Sequence, residues 1–187
     1  MSGTKSSKGK KKAKDGGADK RKGGDRADIS SAGTKRLLKQ SAAGKAGHGV
    51  RVSQKAADQG QEAAQKLIKK LARQINVYMS LSGKQTVQKK DIIASIEAVS
   101  PCCTSGAENA IASKKGFRSD ISDSGVRRQA QQHGLKYRMT AAAVIALRGA
   151  VESHIKTLGK DAGCIVYAAK RHTVKARDME AVLCSLK

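Results

Sequence analysis

The sequence repeats itself, and the repeat constrains the fold more than any other feature. Lys84-Gln85-Thr86-Val87-Gln88-Lys89-Lys90-Asp91-Ile92 matches Arg171-His172-Thr173-Val174-Lys175-Ala176-Arg177-Asp178-Met179. Upstream, Arg51-Val52-Ser53 matches Arg138-Met139-Thr140 at the same offset of 87 residues. Between these anchors runs an apolar stripe at steps of three and four, the signature of one buried helix face. Ala57, Gly60, Ala64, Ile68, Leu71, Ile75, Tyr78 and Met79 fall on Val144, Leu147, Val151, Ile155, Leu158, Ala162, Ile165 and Val166. In the second copy the stripe extends to Ala169 within a Pro-free run from Thr140 to Lys170. A helix of that length is a rod of about 45 Å that cannot bury its stripe alone.

Each copy also has a short helix upstream. Ile29 to Arg36 resembles Ile121 to Arg128, here at an offset of 92. The first copy thus holds five extra residues, which the Gly-rich stretch Ala42 to Gly49 would absorb as a loop. The chain then divides into residues 1–28, a first unit over 29–100, a joint over 101–120 and a second unit over 121–187. Within the first unit a short helix spans Ile29 to Gln40, and a long helix capped by Ser53 runs to about Leu81. A second short helix carries Ile92, Ile93 and Ile96 and closes at Pro101. The joint has room for a helix over Ala107 to Ser113. In the second unit the first short helix reaches about His133. The first long helix has small residues early (Ala56, Ala57, Gly60, Ala64), so the first unit should be the less stable.

Charge narrows the function. The chain has 38 Lys and Arg against 15 Asp and Glu, a net +23. That excess calls for a polyanionic partner, nucleic acid first. With no Trp and one Phe, stacking of single-stranded bases on aromatic platforms is disfavoured. Residues 1–28 hold ten Lys or Arg, four Asp and six Gly. They read as a disordered basic tail that adds phosphate contacts. The four cysteines show no C-x-x-C pair, so no zinc site is expected and reduced thiols fit best. His48, His133, His154 and His172 have no partner at a telling spacing. No catalytic motif, cofactor site, secretory signal or membrane span is read.

Short helix, loop, long helix, loop and short helix, made twice, resembles the histone fold. The residues carry the likeness further. Arg138-Met139-Thr140 is similar to the first histone loop, and Lys170 to Asp178 to the second. Ala143-Val144-Ile145-Ala146-Leu147 and Glu152 resemble the long helix of the central-tetramer histones. Leu37-Leu38-Lys39-Gln40 and a further helix after Pro101 resemble a flanking-dimer histone. From residue 29 to 187 the chain looks like a fused histone doublet, an arrangement known from certain giant DNA viruses.

The resemblance implies an all-α chain whose two histone folds pair in an intramolecular handshake, with the long helices crossing near Leu67 to Leu71 and Glu152 to Ile155. Arg51 would then lie beside Thr173, and Arg138 beside Thr86, each Arg aimed at a minor groove. Lys84 with Asp91 and Arg171 with Asp178 would clamp the second loops. Lys lacks the planar fork of Arg, so the first clamp should be looser. Lys35, Arg36, Arg127 and Arg128 would open the short helices and hold phosphates, and His172 would meet phosphate or solvent. The implied partners are double-stranded DNA and other histone-fold proteins, in the nucleus or chromatin, or in the viral factory and virion if the source is viral. The competing readings are a histone-fold interaction module of a transcription-factor complex and a basic RNA-binding protein.

Overall fold

The computed structural model describes residues 29–46, 49–113 and 119–185. The expected tail, residues 1–28, lies outside them. The first fold consists of α1 (Ser31–Ala46), β1 (Arg51–Val52), α2 (Gln54–Ser82), β2 (Thr86–Val87) and α3 (Lys89–Val99). A 3-10 turn (Pro101–Cys103) leads into α4 (Thr104–Ala112). The second fold consists of α5 (Asp123–Gln132), β3 (Arg138–Met139), α6 (Ala141–Ala168), β4 (Thr173–Val174) and α7 (Ala176–Ser185). Both long helices start on a hydroxyl cap. Ser53 Oγ accepts the Ala56 amide and Thr140 Oγ1 the Ala143 amide, each at 3.2 Å, so one orphan donor at each helix start is satisfied.

The stripe read from the sequence is the core. Ala57, Gly60, Ala64, Ile68, Leu71, Ile75 and Met79 are buried, and so are Val144, Leu147, Val151, Ile155, Leu158, Ala162 and Val166. Tyr78 and its equivalent Ile165 are both half-buried, while Ala169 is exposed at the helix end. The long helices touch each other, and each also packs against the other fold's short helices: α7 lies on α2 and α3 on α6. Two parallel bridges lock the exchange, β1 with β4 and β2 with β3. The two folds therefore shake hands within one chain.

Two expectations need correction. The extra residues of the first copy do not form a Gly-rich loop from Ala42: α1 runs helical to Ala46 and has 16 residues against 10 in α5. Ala42 and Ala43 favour helix, and Ala42 is fully buried. It fits because Gly163 of α6 has no side chain; a Cβ there would come within 2.9 Å of the Ala42 Cα. One turn away, a Cβ on Gly159 would meet the Leu38 carbonyl at 3.0 Å. The pair Gly159 and Gly163 thus lets α1 lie directly on the α6 backbone.

The helix of the joint is also placed differently. It starts at Thr104, not Ala107, and docks on α6. A Cβ on Gly149 would fall 2.5 Å from the Ala110 Cβ and from the Gly106 carbonyl oxygen. The positions of α2 equivalent to Gly149 and Ser153 are Glu62 and Lys66, which are exposed and ion-paired to each other. That polar pair shows why α4 has a seat on one long helix and no counterpart seat on the other.

Candidate nucleic-acid interface

Each end of the handshake carries one two-residue parallel bridge. Arg51 is in register with Thr173, and Val52 with Val174. At the other end Thr86 is in register with Arg138, and Val87 with Met139. Strand alternation decides which side chains face out. Val52, Val87 and Val174 are buried, whereas Arg51, Arg138 and Thr86 are exposed and Thr173 half-buried. The bridges are closed by main-chain bonds, Arg51 N–H to the His172 carbonyl at 2.8 Å and Thr140 N–H to the Val87 carbonyl at 3.1 Å. His172 is exposed beside Arg51. Each guanidinium therefore stands on backbone held from two distant parts of the chain.

The second loops are braced by ion pairs of unequal quality. Arg171 donates twice to Asp178, Nη2 to Oδ1 at 2.7 Å and Nη1 to Oδ2 at 3.0 Å. Asp178 Oδ2 also accepts the Lys175 amide at 2.8 Å and so closes the start of α7. Burial alone would raise the Asp178 carboxyl. The Arg171 hydrogen bonds, the Lys175 amide and the charges of Arg171 and Arg177 outweigh it and hold the group below its ordinary range. The bond to Asp178, against some desolvation, holds the Arg171 guanidinium above its own range. In the first fold Lys84 Nζ reaches Asp91 Oδ1 by one contact of 3.3 Å, while Asp91 Oδ2 accepts the Gln88 amide at 2.8 Å. A point charge replaces a fork, and the contact is single and longer.

The basic residues of the short helices sit differently from expectation. Lys35, Arg36, Arg127 and Arg128 lie one turn inside α1 and α5 and do not open them. The start of α5 is closed by its own chemistry: Ser122 Oγ accepts the Gly125 amide at 3.1 Å, and Asp123 occupies the first turn. Arg36 is paired with Asp120 at 3.0 Å and Lys35 Nζ approaches Gln54 Oε1 at 3.5 Å. Arg127 and Arg128 border a cleft of about 460 Å³ with Asp123, Ser124 and Gln131.

A polar network that sequence reasoning missed ties these parts together. Arg148 of α6 holds Asp123 at 2.8 Å, and Glu152, nearly buried, lies 3.9 Å from Arg148 Nε and accepts the Ser119 hydroxyl. The signal available was the i, i+4 spacing of Arg148 and Glu152. Among the described residues no three His, Cys, Asp or Glu side chains gather as a metal site, and no helix is long and apolar enough to cross a membrane.

Residues 125–185 match the core histone domain, the family model shared by the four core histones. No curated protein matches the chain. Among solved structures, the histone from Methanopyrus kandleri is similar at 21% identity and a TM-score of 0.63, covering 81% of this chain and 91% of that one. That share exceeds either fold alone, so the likeness extends over both. The chain thus has the histone fold, built twice and paired with itself, and its residues 125–185 match the core histone domain.

Proposed function

We propose that this chain is a non-enzymatic, histone-like DNA-packaging protein. It bends and wraps duplex DNA with little sequence preference, as a component of a nucleosome-like particle with further histone folds. One observation carries the reading: an exposed Arg in register with a Thr occurs at both ends of the handshake, at the same place in each copy. An Arg fixed on a bridged backbone loses less freedom on entering a minor groove than one on a mobile loop. A narrow groove attracts it through width-dependent potential, without reading bases. His172 adds a donor beside Arg51, and Lys35 on α1 and Arg127 and Arg128 on α5 add positive charge. The net +23 supports phosphate as the partner. The site of action is chromatin in the nucleus; if the doublet is of the giant-virus type it resembles, it is the viral factory and virion.

Nuclease digestion of the reconstituted protein–DNA complex tests this. A discrete protected length is expected. A smear without a limit fragment would mean loose coating, and full digestion would remove the DNA-packaging reading.

A further inference from the structure

The outer face of α2 carries Lys66, Lys69 and Arg73, all exposed. Each of Lys66, Lys69 and Arg73 lies two residues before a buried core residue (Ile68, Leu71, Ile75), about 200° around the helix. The ridge therefore points away from the core. Glu62 is the acid at its edge, and its pair with Lys66, at 2.7 Å, has both side chains more than half exposed. Such a pair holds little free energy and yields readily to a phosphate.

The repeat gives the ridge a second line of support. Lys69 and Arg73, four residues apart, fall at the 87-residue offset on Lys156 and Lys160 of α6. A basic pair thus recurs at one register of both long helices. On α6 it borders a cleft of about 470 Å³ against Gln40, Ser41 and Gly44 of α1. On α2 Lys69 and Arg73 are exposed, because α5 ends at Gln132, the equivalent of Gln40, and has no counterpart to the later part of α1 that walls the cleft on α6. The ridge also stands apart from the loop arginines. Lys66 is 12 residues from the start of α2 and Arg73 nine from its end, about 18 Å and 14 Å along the axis. From Lys66 to Arg73 is about 10 Å along the axis, enough for these cations to reach more than one phosphate of a duplex.

We propose that Lys66, Lys69 and Arg73 form a second duplex-binding surface, through which one molecule bridges the DNA on its loop arginines to a separate duplex. This rests on the DNA-binding reading above. The occupant is duplex phosphate, since the ridge is cationic and presents no apolar anchor.

The test is capture. Full-length protein is loaded on a bead-bound short duplex, washed, and offered a fluorescent duplex of the same length. The wild type is expected to capture it. Lys66→Gln/Lys69→Gln/Arg73→Gln should lower capture roughly tenfold, with protein retention on the beads changed less than about twofold. Lys66→Arg/Lys69→Arg should capture like the wild type, which separates charge from folding. Capture unchanged in the Gln variant overturns the proposal, as does loss of capture and retention in parallel, or a wild type that is retained but captures nothing. A wild type not retained at all removes the DNA-binding reading beneath it.

Discussion

Lys170 occupies in the second fold the position that Gly83 occupies in the first, and both turn the chain through the left-handed region, at φ 51° and 64°. Glycine takes that conformation freely; a side chain with a Cβ does not. The second fold therefore carries strain at the end of α6 that the first lacks. Lys170→Gly is expected to stabilise the protein by about 1 kcal/mol, and Gly83→Ala to destabilise it by a similar amount. Chemical denaturation of the two variants checks both signs. An unchanged Lys170→Gly midpoint would mean the turn stores no strain.

Gly149 should tolerate no side chain. Its absent Cβ is where Ala110 and the Gly106 carbonyl lie. Gly149→Ala is expected to cost about 1–3 kcal/mol through overpacking and to push α4 off α6. Limited proteolysis should then cut faster between residues 101 and 120. Gly44→Ala is the control: nothing lies within 4 Å of a Cβ there, so the change should be neutral or gain up to about 1 kcal/mol of helix propensity.

Acid should loosen the second clamp. Asp178 titrates below its ordinary 3.8 in the fold, so its contribution is present above that value and is lost as pH falls through the folded value. Asp178→Asn should be less stable than the wild type at neutral pH, with the difference shrinking below pH 3.8. Urea midpoints measured across that range decide it; a constant difference would show that the charge on Asp178 is not what stabilises.

A second acid-sensitive group lies on α6. Burial first, and the charge of Lys70 second, lower the His154 pKa from its ordinary 6.5. The unfolded chain then binds the proton more readily, so stability falls as pH drops from 6.5 through the folded value. His154→Gln should remove that part of the decline, and Lys70→Gln should reduce it. If the wild type and His154→Gln lose stability in parallel over this range, His154 is not the group responsible.

On DNA, Arg138→Ala should weaken binding alike for all sequences and lower the log–log salt slope by about 0.9 if one phosphate contact goes with it. Deleting residues 1–28 should flatten the slope further. A variant that loses affinity for one sequence selectively would show Arg138 reading bases.

Much of this fold was legible because periodicity and repetition are carried by many residues at once. The stripes of α2 and α6 follow from many positions each, and the repeat matches Arg51 to Arg138 and Thr86 to Thr173; that Arg51 lies by Thr173 and Arg138 by Thr86 followed from the likeness to the histone fold. What was not legible depends on absent atoms. Gly159 and Gly163 read as weak points of a helix until α1 is seen lying on them, and the same glycines explain why Ala42 to Ala46 is helix where a loop was expected. Gly106 and Gly149 hide the seat of α4 for the same reason. At the candidate interface, the loop arginines could be placed because the likeness to the histone fold sets each beside the other copy's Thr, and the bridges have them in that register. The short-helix arginines were misplaced by a turn, because Ser122 and Asp123 close α5 and Asp120 takes Arg36. Residue type alone does not fix which cap wins.

The bridges set an order for folding as well as a shape. β1 meets β4 across 122 residues of chain, a contact of high sequence separation that forms late and slowly. During synthesis the first long helix leaves the ribosome well before α6 and β4 exist. Its face of Ile68, Leu71 and Ile75 then stays open to solvent for the time needed to make the rest. In that interval the covalent link gives no protection, and the competing reaction is with the same segment of a neighbouring nascent chain, at a rate that rises with expression level.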